Sequence, residues 1–422
     1  MKRLFASVAI SGLLAANARA VPNDWYALTQ YQTPNMHYGQ LALHPYYKLS
    51  EVYDSNIYLV PPDQPGGQVG GGVRGSWITK NDLGLEAQLP WRRLNTLSLG
   101  YDLESDVYST VPSVNDTINQ MLHADIVREG ARGMTYKAGD QYINTTDQAF
   151  SELTQRARRW LNRAYASVDY APKNGLLVGG VDADHQTDKY LDPLLGSELN
   201  RYQEDAGFNV GYMLQPKTKV YVSYHREIIH YTVNPADGLP EKDSKSDIVA
   251  VGATGRLSPK IEGQVEVGLD YRQNDVAPVA GADRVNRTPT VLTKVTYQPE
   301  PSYDVILTLS RSFQETIYLN NAFYYANVAS LELAHRFPRK VKAGANVAIG
   351  KNQYLNAEAV GLAGVAGNRR DDLYQYGAFI EYDIQTWLST GLAYLYNERD
   401  STFSAQFNYQ DSQVTWNASL KF

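Results

Sequence analysis

Histidine and serine side chains are the first places to look for catalysis, and their spacing argues against it. No two histidines are four residues apart, as in the H-E-x-x-H pair of a zinc protease, and no G-x-S-x-G nucleophile segment is present. Histidines of the surface or of a polar interior are the simpler interpretation. The seven histidines are His37, His44, His123, His185, His225, His230 and His335. The sequence therefore predicts no enzyme.

A run of aspartates offers ligands for a metal ion. The run resembles a calcium loop, but Gln186 and Thr187 interrupt the EF-hand pattern; its members are Asp182, Asp184, Asp188 and Asp192. The chain has no cysteine, which excludes disulfides, zinc–thiolate sites and thiol catalysis. We expect no metal site and no cofactor.

Basic residues are densest between positions 156 and 163. Three interpretations stay open: a site for lipopolysaccharide phosphates, an inward-facing site for an anionic substrate, or a solvated segment with a helical turn. The cluster consists of Arg156, Arg158, Arg159 and Arg163. The glycine-rich stretch 65–75 lacks the Gly-Lys-Ser/Thr of a phosphate loop, so a flexible outer loop is predicted there.

The elements that would position these residues are strands. Apolar and polar residues alternate with a period of two in 97–106, 261–272 and 373–384, which is typical of a strand with one apolar and one wet face. Tyrosine outnumbers phenylalanine by 32 to 10, a bias toward the aromatic residue that favours membrane–water boundaries. Aromatic residues near strand ends fit two such girdles: Trp77, Tyr108, Trp160, Tyr170, Tyr297, Tyr303, Trp387 and Trp416.

Tight turns and longer polar segments follow one another in strict alternation from Leu41 onward. The longer segments are Leu59–Gly71, Ser109–Asp116, Asp147–Ala157, Leu191–Asn200, Asn234–Ser244, Ala277–Arg287, Ile317–Asn321, Leu355–Arg369 and Thr402–Asn408. Short turns on one side and long loops on the other are typical of outer-membrane barrels. The sequence predicts an all-β fold, a transmembrane antiparallel up-and-down β-barrel of about 18 strands. Two stretches, 134–146 and 322–337, keep this alternation less clearly, and a bulge would repair them.

The charged face of these strands must line a wet interior, because charges facing lipid are costly. The predicted lumen-lining residues are Tyr46, Lys48, Asp102, Glu104, Arg159, Arg163, Tyr165, Asp182, Asp184, Tyr221, Glu262, Glu266, Asp270, Arg272, Glu332 and Arg336. Both signs occur, whereas a pore for one ion type would carry rings of one sign. The mixture favours a neutral or weakly charged, hydroxyl-rich solute, with tyrosines as stacking faces. Charges that simply pair across strands are the alternative, and both can hold together.

The two ends of the chain carry expected processing and assembly signals. Lys2 and Arg3, an apolar run and a small-x-small pattern predict a signal peptide, residues 1–20, cleaved after Ala20. A short periplasmic segment, 21–40, and a barrel, 41–422, follow. The last strand has an apolar face that ends on the terminal aromatic and resembles the C-terminal signal read by the barrel-assembly machinery; its expected signal residues are Trp416, Leu420 and Phe422.

The first predicted strand carries a family resemblance. In YYKLSEVYDSNIYLVP, 46–61, Ser50, Tyr53, Asp54, Asn56 and Ile57 match a segment typical of the putative β-barrel porin 2 family. The segments 97–109 and 310–337 are similar in style. The resemblance covers most of the mature chain in architecture and implies a bacterial outer-membrane barrel with no catalytic residues, of a kind implicated in moving exopolysaccharide.

These observations lead to one function hypothesis with open alternatives. We expect a channel that exports an extracellular polysaccharide. A general or sugar-selective diffusion porin is the first alternative, and a surface enzyme or an adhesive, structural barrel is the second. Expected partners are the outer membrane with its lipopolysaccharide, the barrel-assembly machinery, the polysaccharide and a periplasmic export component. The net charge of −6 argues against nucleic acid.

Overall fold

The computed structural model describes residues 36–62, 72–91, 95–147, 156–173, 175–232, 242–277, 283–316, 321, 323–360 and 365–422, without side chains at 357–360, 365 and 366. The predicted signal peptide, its cleavage site and most of the segment 21–40 lie outside the described residues. So does most of the glycine-rich stretch 65–75.

Antiparallel strands make up almost all of the described chain. The strands are β1 (Met36–Tyr38), β2 (Leu41–Asp54), β3 (Ser76–Trp91), β4 (Asn95–Tyr108), β5 (Thr117–Glu129), β6 (Met134–Thr145), β7 (Arg159–Tyr170), β8 (Leu177–Tyr190), β9 (Arg201–Gln215), β10 (Thr218–Tyr231), β11 (Ser244–Ser258), β12 (Ile261–Asn274), β13 (Val285–Tyr297), β14 (Tyr303–Glu315), β15 (Phe323–Phe337), β16 (Val341–Val360), β17 (Val365–Gln385), β18 (Leu388–Ser401) and β19 (Tyr409–Lys421). From β2 onward each strand pairs with its neighbours in chain order.

The sheet closes on itself. β19 pairs with β2 from Gln413 opposite Asp54 to Lys421 opposite Tyr46. Closure removes the free edges that an open sheet would expose to other chains. The result is an 18-strand barrel, which confirms the predicted fold class and strand number. The three-residue β1 adds a short hairpin to the start of β2, turning at Gly39 with φ +62°.

The residues between strands differ in length at the two ends of the barrel. One end carries short turns such as 216–217 and 259–260, and the other carries longer segments with the short helices α1 (Pro112–Asn115), α2 (Pro193–Leu199) and α3 (Ser404–Phe407). We call them the short-turn end and the long-loop end. No helix in the described part of the chain is long and apolar enough to cross a membrane.

The predicted loop Leu355–Arg369 is wrong. β16 runs on to Val360 and β17 begins at Val365, so this segment is mostly an extension of their hairpin. A register shift between Gln353 and Ala357 accompanies the extension. Its small and polar residues read as a loop because a two-stranded ribbon outside a membrane has no apolar face to reveal it.

The two stretches with unclear alternation need no bulge. β6 and β15 keep an unbroken register with both neighbours. Asn327 and His335 lie on the outer face of β15, where Asn327 accepts a hydrogen bond from Arg311 and His335 packs against Tyr303 and Phe337. Polar groups with such partners can occupy an otherwise apolar face without interrupting the ladder.

The pairing of β13 with β14 covers only part of both strands. It runs from Val291 opposite Arg311 to Tyr297 opposite Val305, although β13 begins at Val285 and β14 ends at Glu315. Toward the long-loop end, β13 stays paired with β12 and β14 with β15. From Val291 and Arg311 toward the long-loop end, β13 and β14 are therefore no longer paired with each other.

Candidate functional site

The inner face of the barrel is identified by the alternation of its strands. Exposed large hydrophobic residues occupy one face of each strand, as with Val267 and Leu269 of β12, and buried polar residues such as Asp270 occupy the other. Directly opposed residues of antiparallel strands share a face. By this register the structure places all sixteen predicted lumen residues on the inner face: Tyr46, Lys48, Asp102, Glu104, Arg159, Arg163, Tyr165, Asp182, Asp184, Tyr221, Glu262, Glu266, Asp270, Arg272, Glu332 and Arg336.

A repeated contact on this face joins a ring, a glycine and a carboxylate from three successive strands. Tyr165 lies opposite Gly139, which lies opposite Asp125, and the Tyr165 hydroxyl donates to the Asp125 carboxylate. Strands two apart are about 10 Å from each other, so the ring must lie flat across the middle strand. A Cβ at Gly139 would come within 2.8 Å of the ring. The contact therefore requires glycine at the middle position.

Four further sets in register repeat this arrangement around the wall, although the His225 ring hydrogen-bonds Asp205 on the middle strand and stays 3.7 Å from Asp182. They are Tyr46, Gly84 and Asp102; His123, Gly100 and Glu86; His225, Gly207 and Asp182; and Tyr221, Gly252 and Glu266. The Tyr221 hydroxyl lies 2.7 Å from a Glu266 carboxylate oxygen, and the His123 Nε2 atom lies 3.0 Å from a Glu86 carboxylate oxygen. Rings held flat in this way stiffen the wall and keep the lumen clear.

The predicted stacking role of the tyrosines fits this arrangement poorly. Tyr46 and Tyr221 are only 7% and 9% exposed, and their hydroxyl groups donate to wall carboxylates. Little of either ring face is free to contact a sugar. Hydrogen bonding within the wall is what the structure shows for these residues.

Many of the wall's charged groups have a partner of opposite charge, on the neighbouring strand or, for Arg272 and Glu227, across the strand between them. Arg163 and Asp184 are 3.1 Å apart, Arg272 and Glu227 2.5 Å, and Arg336 and Asp304 2.6 Å. Further pairs join Lys80 to Asp106, Arg159 to Asp188, and Lys342 to Glu381. Pairing of opposite charges leaves these parts of the wall rich in hydrogen-bonding groups and weak in net charge.

The end of the β14–β15 hairpin, which comprises 312–316 and Phe323, lies against the inner face of the wall. Glu315 forms an ion pair with Arg201 of β9 and accepts a 2.7 Å hydrogen bond from Tyr231 of β10. Phe313 and Phe323 are 4% and 2% exposed. Glu315 belongs to the outer face by alternation, so its contact with inner-face residues of β9 and β10 shows that the hairpin end enters the lumen.

Arg272 of β12 receives the two phenylalanines. Its guanidinium lies 5.5 Å from the Phe313 ring centroid and 5.9 Å from that of Phe323, within cation–π range. Lys242 adds a hydrogen bond to the Thr316 carbonyl oxygen. The division of the wall above Arg311 gives β14 the freedom to bend inward, so the hairpin end narrows the lumen toward the long-loop end.

Exposure of the inner face differs between the two ends. Lys137 and Asp169, near the short-turn end, have side chains 47% exposed. Near the long-loop end, Arg369 and Asp371 are 0% and 1% exposed, and Phe407 of α3 covers the Arg369 guanidinium at 3.7 Å. Among the described residues, buried polar side chains of the inner face are concentrated toward the long-loop end, with exceptions such as Asp304 near the short-turn end.

The arginine cluster is divided among separate partners. Arg156 lies over the Tyr108 ring and faces Asp106, while Arg158 donates to Asn144 and to the backbone of Ile118. Burial lowers the pKa of the Arg156 guanidinium, although the Asp106 carboxylate opposes this. The described residues 156–163 contain no helical turn, so that interpretation is wrong for them.

Tyr108 is also not a girdle residue. It lies on the inner face, 5% exposed, and packs with Val52, Ile57 and Ile78. Six of the other seven predicted girdle aromatics lie at or near strand ends, whereas Trp416 lies mid-strand in β19. Six of the seven are exposed side chains: Trp77, Tyr170, Tyr297, Tyr303, Trp387 and Trp416.

Three groups that sequence spacing did not connect converge on the wall. Ligand atoms of Asp182, Asp205 and His225, from β8, β9 and β10, lie within 4.8 Å of one another. Asp205 and His225 already form a 2.8 Å hydrogen bond. Two carboxylates and an imidazole are a donor set suited to a divalent cation, but the same set satisfies itself as a hydrogen-bonded cluster.

The predicted assembly residues lie on the outer face of the closing strand. Trp416 and Phe422 are exposed, and the Phe422 ring stacks on Trp387 with centroids 6.1 Å apart. The Phe422 amide donates to the Pro45 carbonyl oxygen at 3.0 Å. Leu420 lies opposite Leu388 of β18 and Tyr47 of β2.

The sequence of the second half of the barrel decides its family. Residues 192–422, more than half of the chain, match the family described as putative beta-barrel porin 2. The chain belongs to this family. The protein is therefore an outer-membrane β-barrel of the porin type, as the resemblance in the first strand implied.

Solved structures with a similar fold are distant from this porin. The outer membrane protein OpdK from Pseudomonas aeruginosa is 11% identical, with a TM-score of 0.47, 90% of this chain covered and 98% of that chain. The siderophore receptor PirA from Acinetobacter baumannii is 7% identical, with a TM-score of 0.44 and coverage of 90% and 80%. A bacterial polysaccharide outer membrane secretin is 12% identical, with a TM-score of 0.35 and coverage of 89% and 98%. Curated protein sequences contain no significant match.

Proposed function

We propose that this barrel exports an extracellular polysaccharide from the periplasm to the cell surface through its lumen. The observation that carries the proposal is the asymmetry of the inner face, whose buried polar side chains are concentrated toward the long-loop end in the described residues. In outer-membrane barrels the short turns are periplasmic and the long loops extracellular. A passage that receives its solute from the periplasm fits this arrangement.

The chemistry of the wall supports a neutral or weakly charged polymer. Outside the acidic sector of β2 to β5, carboxylates and cations are largely paired in place, so that part of the wall offers exchangeable hydrogen bonds and no strong field of one sign. Conduction needs contacts that are weak and repeated along the path. Sugar hydroxyl groups can exchange between such contacts without a deep energy minimum.

One sector of the wall is acidic and works against a polyanion. β2 to β5 carry more carboxylates than basic side chains on the inner face: Asp54, Asp82, Glu86, Asp102, Glu104, Asp106 and Asp125, with Lys48 and Lys80. Repulsion by this sector would slow a polymer rich in uronic acid or phosphate. We therefore propose a polymer of neutral or amino sugars.

A lumen that is narrowed near the long-loop end is compatible with the passage of an extended polymer. The hairpin end 312–316 occupies part of the lumen just where the chain would leave the barrel. An extended polysaccharide needs less width than a folded protein, so a narrowed lumen fits a polymer better than a protein. A periplasmic export component that delivers the polymer, the surrounding lipopolysaccharide and the barrel-assembly machinery complete the proposed set of partners.

A deletion strain tests the proposal. Extracellular polysaccharide, measured in the medium after removal of cells, should fall strongly and return when the wild-type gene is restored. The polymer should accumulate in the periplasm of the deletion strain. Unchanged secretion would contradict export.

A diffusion porin is separated from an exporter by two further measurements on the same strain and protein. An uptake porin predicts intact secretion, slower growth on a limiting small sugar, and ready permeation of that sugar into proteoliposomes. An exporter predicts the secretion defect with normal growth on the sugar.

A further inference from the structure

Hydrogen bonding accounts for the cluster of Asp182, Asp205 and His225 on the inner face except at one atom. We call these three residues the wall cluster. The His225 Nδ1 atom lies 2.8 Å from Oδ1 of Asp205 and 3.7 Å from Oδ2 of Asp182. Asp205 is 8% exposed, and its second carboxylate oxygen, Oδ2, has no hydrogen-bond partner among the described residues. A buried acceptor left in this way is unfavourable, so it indicates a missing ligand.

The charges around Asp205 show the same deficit. Asp205 lies in register with Asp184 of β8 on one side and with Glu227 of β10 on the other, so three carboxylates form one row. The outer two have cationic partners, Arg163 at 3.1 Å and Arg272 at 2.5 Å. In the part of the chain that the structure describes, Asp205 has an imidazole beside it but forms no ion pair with a lysine or arginine. Like charges directly opposite each other destabilise a sheet, so the middle of this row favours a cation.

The imidazole of the wall cluster is oriented by the backbone beneath it. His225 of β10 lies opposite Gly207 of β9, which lies opposite Asp182 of β8. A Cβ at Gly207 would overlap the imidazole, so glycine is what allows the ring to lie across β9. The ring is thereby held with its Nδ1 atom toward both carboxylates.

We propose that the wall cluster binds a divalent metal ion of the Zn²⁺ type. One imidazole nitrogen and two carboxylate oxygens are ligands that Zn²⁺ accepts, whereas Ca²⁺ and Mg²⁺ prefer oxygen alone. Ligand atoms of a tetrahedral Zn²⁺ lie about 3.3 Å apart, because the bonds are about 2.0 Å long. The separations from His225 Nδ1, 2.8 and 3.7 Å, need to change by only about half an ångström to match.

A bound ion would join three successive strands and keep one position open to the lumen. The ligands come from β8, β9 and β10, and their atoms lie within 4.8 Å of one another. Spacing along the sequence could not predict this site, because only the register of three strands brings the ligands together. The side chains of Asp182 and His225 are 38% and 21% exposed. Water or a solute in the lumen can therefore supply the fourth ligand, as in zinc sites with three protein ligands.

Zinc titration of the full chain, purified from outer membranes in detergent without an affinity tag, tests the site. Isothermal titration calorimetry with zinc chloride should show one saturable equivalent for the wild type. Asp205→Asn removes a charged ligand and His225→Gln removes the nitrogen ligand, so each should weaken the binding at least ten-fold. Heat-modifiable migration checks that each variant barrel is folded. A wild type without a saturable equivalent would overturn the proposal.

His123→Gln is the matched control. His123 also lies on the inner face near two carboxylates, 3.0 Å from Glu86 and 3.8 Å from Asp125. Among the described residues, however, only the wall cluster brings three ligand atoms within 4.8 Å of one another. Zinc affinity should be unchanged in H123Q. Loss of binding in H123Q, or wild-type affinity in D205N or H225Q, would show that zinc binds elsewhere and reject the wall cluster.

Cobalt supplies a second measurement, which needs only the wild-type protein. Co²⁺ held by the three side chains and one further ligand should show the strong visible absorption of a tetrahedral complex, and added Zn²⁺ should remove it. This result does not depend on whether a variant folds. A spectrum no stronger than that of Co²⁺ in the same buffer and detergent would overturn the proposal.

Discussion

At the scale of single residues, the glycines under the wall rings control how the inner face is built. A ring can reach a carboxylate two strands away only where the strand between offers no Cβ. Gly139 is the clearest case, because its α-carbon faces both the Tyr165 ring and the Asp125 carboxylate. Replacement would displace the ring and leave the Asp125 carboxylate, which is only 14% exposed, without its donor.

We predict that Gly139→Ala lowers the free energy of unfolding by about 1–3 kcal/mol, the cost of an unsatisfied buried acceptor. Urea unfolding in lipid vesicles, followed by tryptophan fluorescence, measures it. Gly367→Ala is the matched control, since a Cβ there meets no atom within 4 Å. Equal effects of the two substitutions would show that the ring contact is not responsible.

A second prediction concerns the buried pair of Arg272 and Glu227. Arg272→Leu alone should lower the free energy of unfolding by about 3–5 kcal/mol, because it leaves the charge of the buried Glu227 carboxylate without a partner. The double variant with Glu227→Leu should recover much of that loss, as hydrophobic replacements of whole buried pairs often do. The same unfolding experiment applies. A double variant as unstable as the single one would show that Arg272 acts mainly through Phe313 and Phe323.

At the scale of elements, the hairpin end of β14 and β15 is the part of the fold that local patterns could not reveal. Alternation assigns Phe313 and Glu315 to the outer face of β14. That assignment agrees with the register of β14 on β15, but it misses the inward bend of the hairpin end. The bend arises from the incomplete ladder with β13, which is a property of two strands together. Sequence alternation reports the faces of one strand and carries no information about where pairing stops.

We predict that the hairpin end restricts the channel. Glu315→Ala combined with Phe313→Ala removes its ion pair, its hydrogen bond and its aromatic contact with Arg272. Single-channel conductance in planar bilayers should rise. Arg370→Ala, which removes an exposed pair with Asp372 on the outer face, is the control. If the hairpin variant conducts like the control, the restriction lies elsewhere at the long-loop end.

At the scale of the whole molecule, the barrel could be derived from the sequence almost completely. Strand number, closure and the inner position of residues such as Glu266 and Asp270 follow from alternation and from the two loop lengths. The pairs they form do not follow, because a partner depends on register. Tyr221 shows this: its inner position was predictable, but its bond over Gly252 to Glu266 depends on three aligned strands.

The prediction at this scale concerns the closing strand, β19, and the terminal residue that follows it. Phe422→Asp should block assembly, because it removes the ring stacked on Trp387 and places a charge on the outer face beside β2. The yield of folded, heat-modifiable protein in the outer membrane measures it. Phe337→Asp, a similarly exposed aromatic position at the short-turn end of β15, is the control. Normal yield for the Phe422 variant would place the signal in another segment.

The pairing of β19 with β2 also has a consequence for the order in time of folding. Gln413 and Asp54 are 359 residues apart in the chain. Bringing such distant ends together in an unstructured chain costs roughly 5 kcal/mol of chain entropy on a logarithmic loop law. Adjacent hairpins pair at far lower entropic cost, and each one formed shortens the remaining loop. The seam between first and last strand should therefore form last, and until then both edges remain open to pairing with other chains.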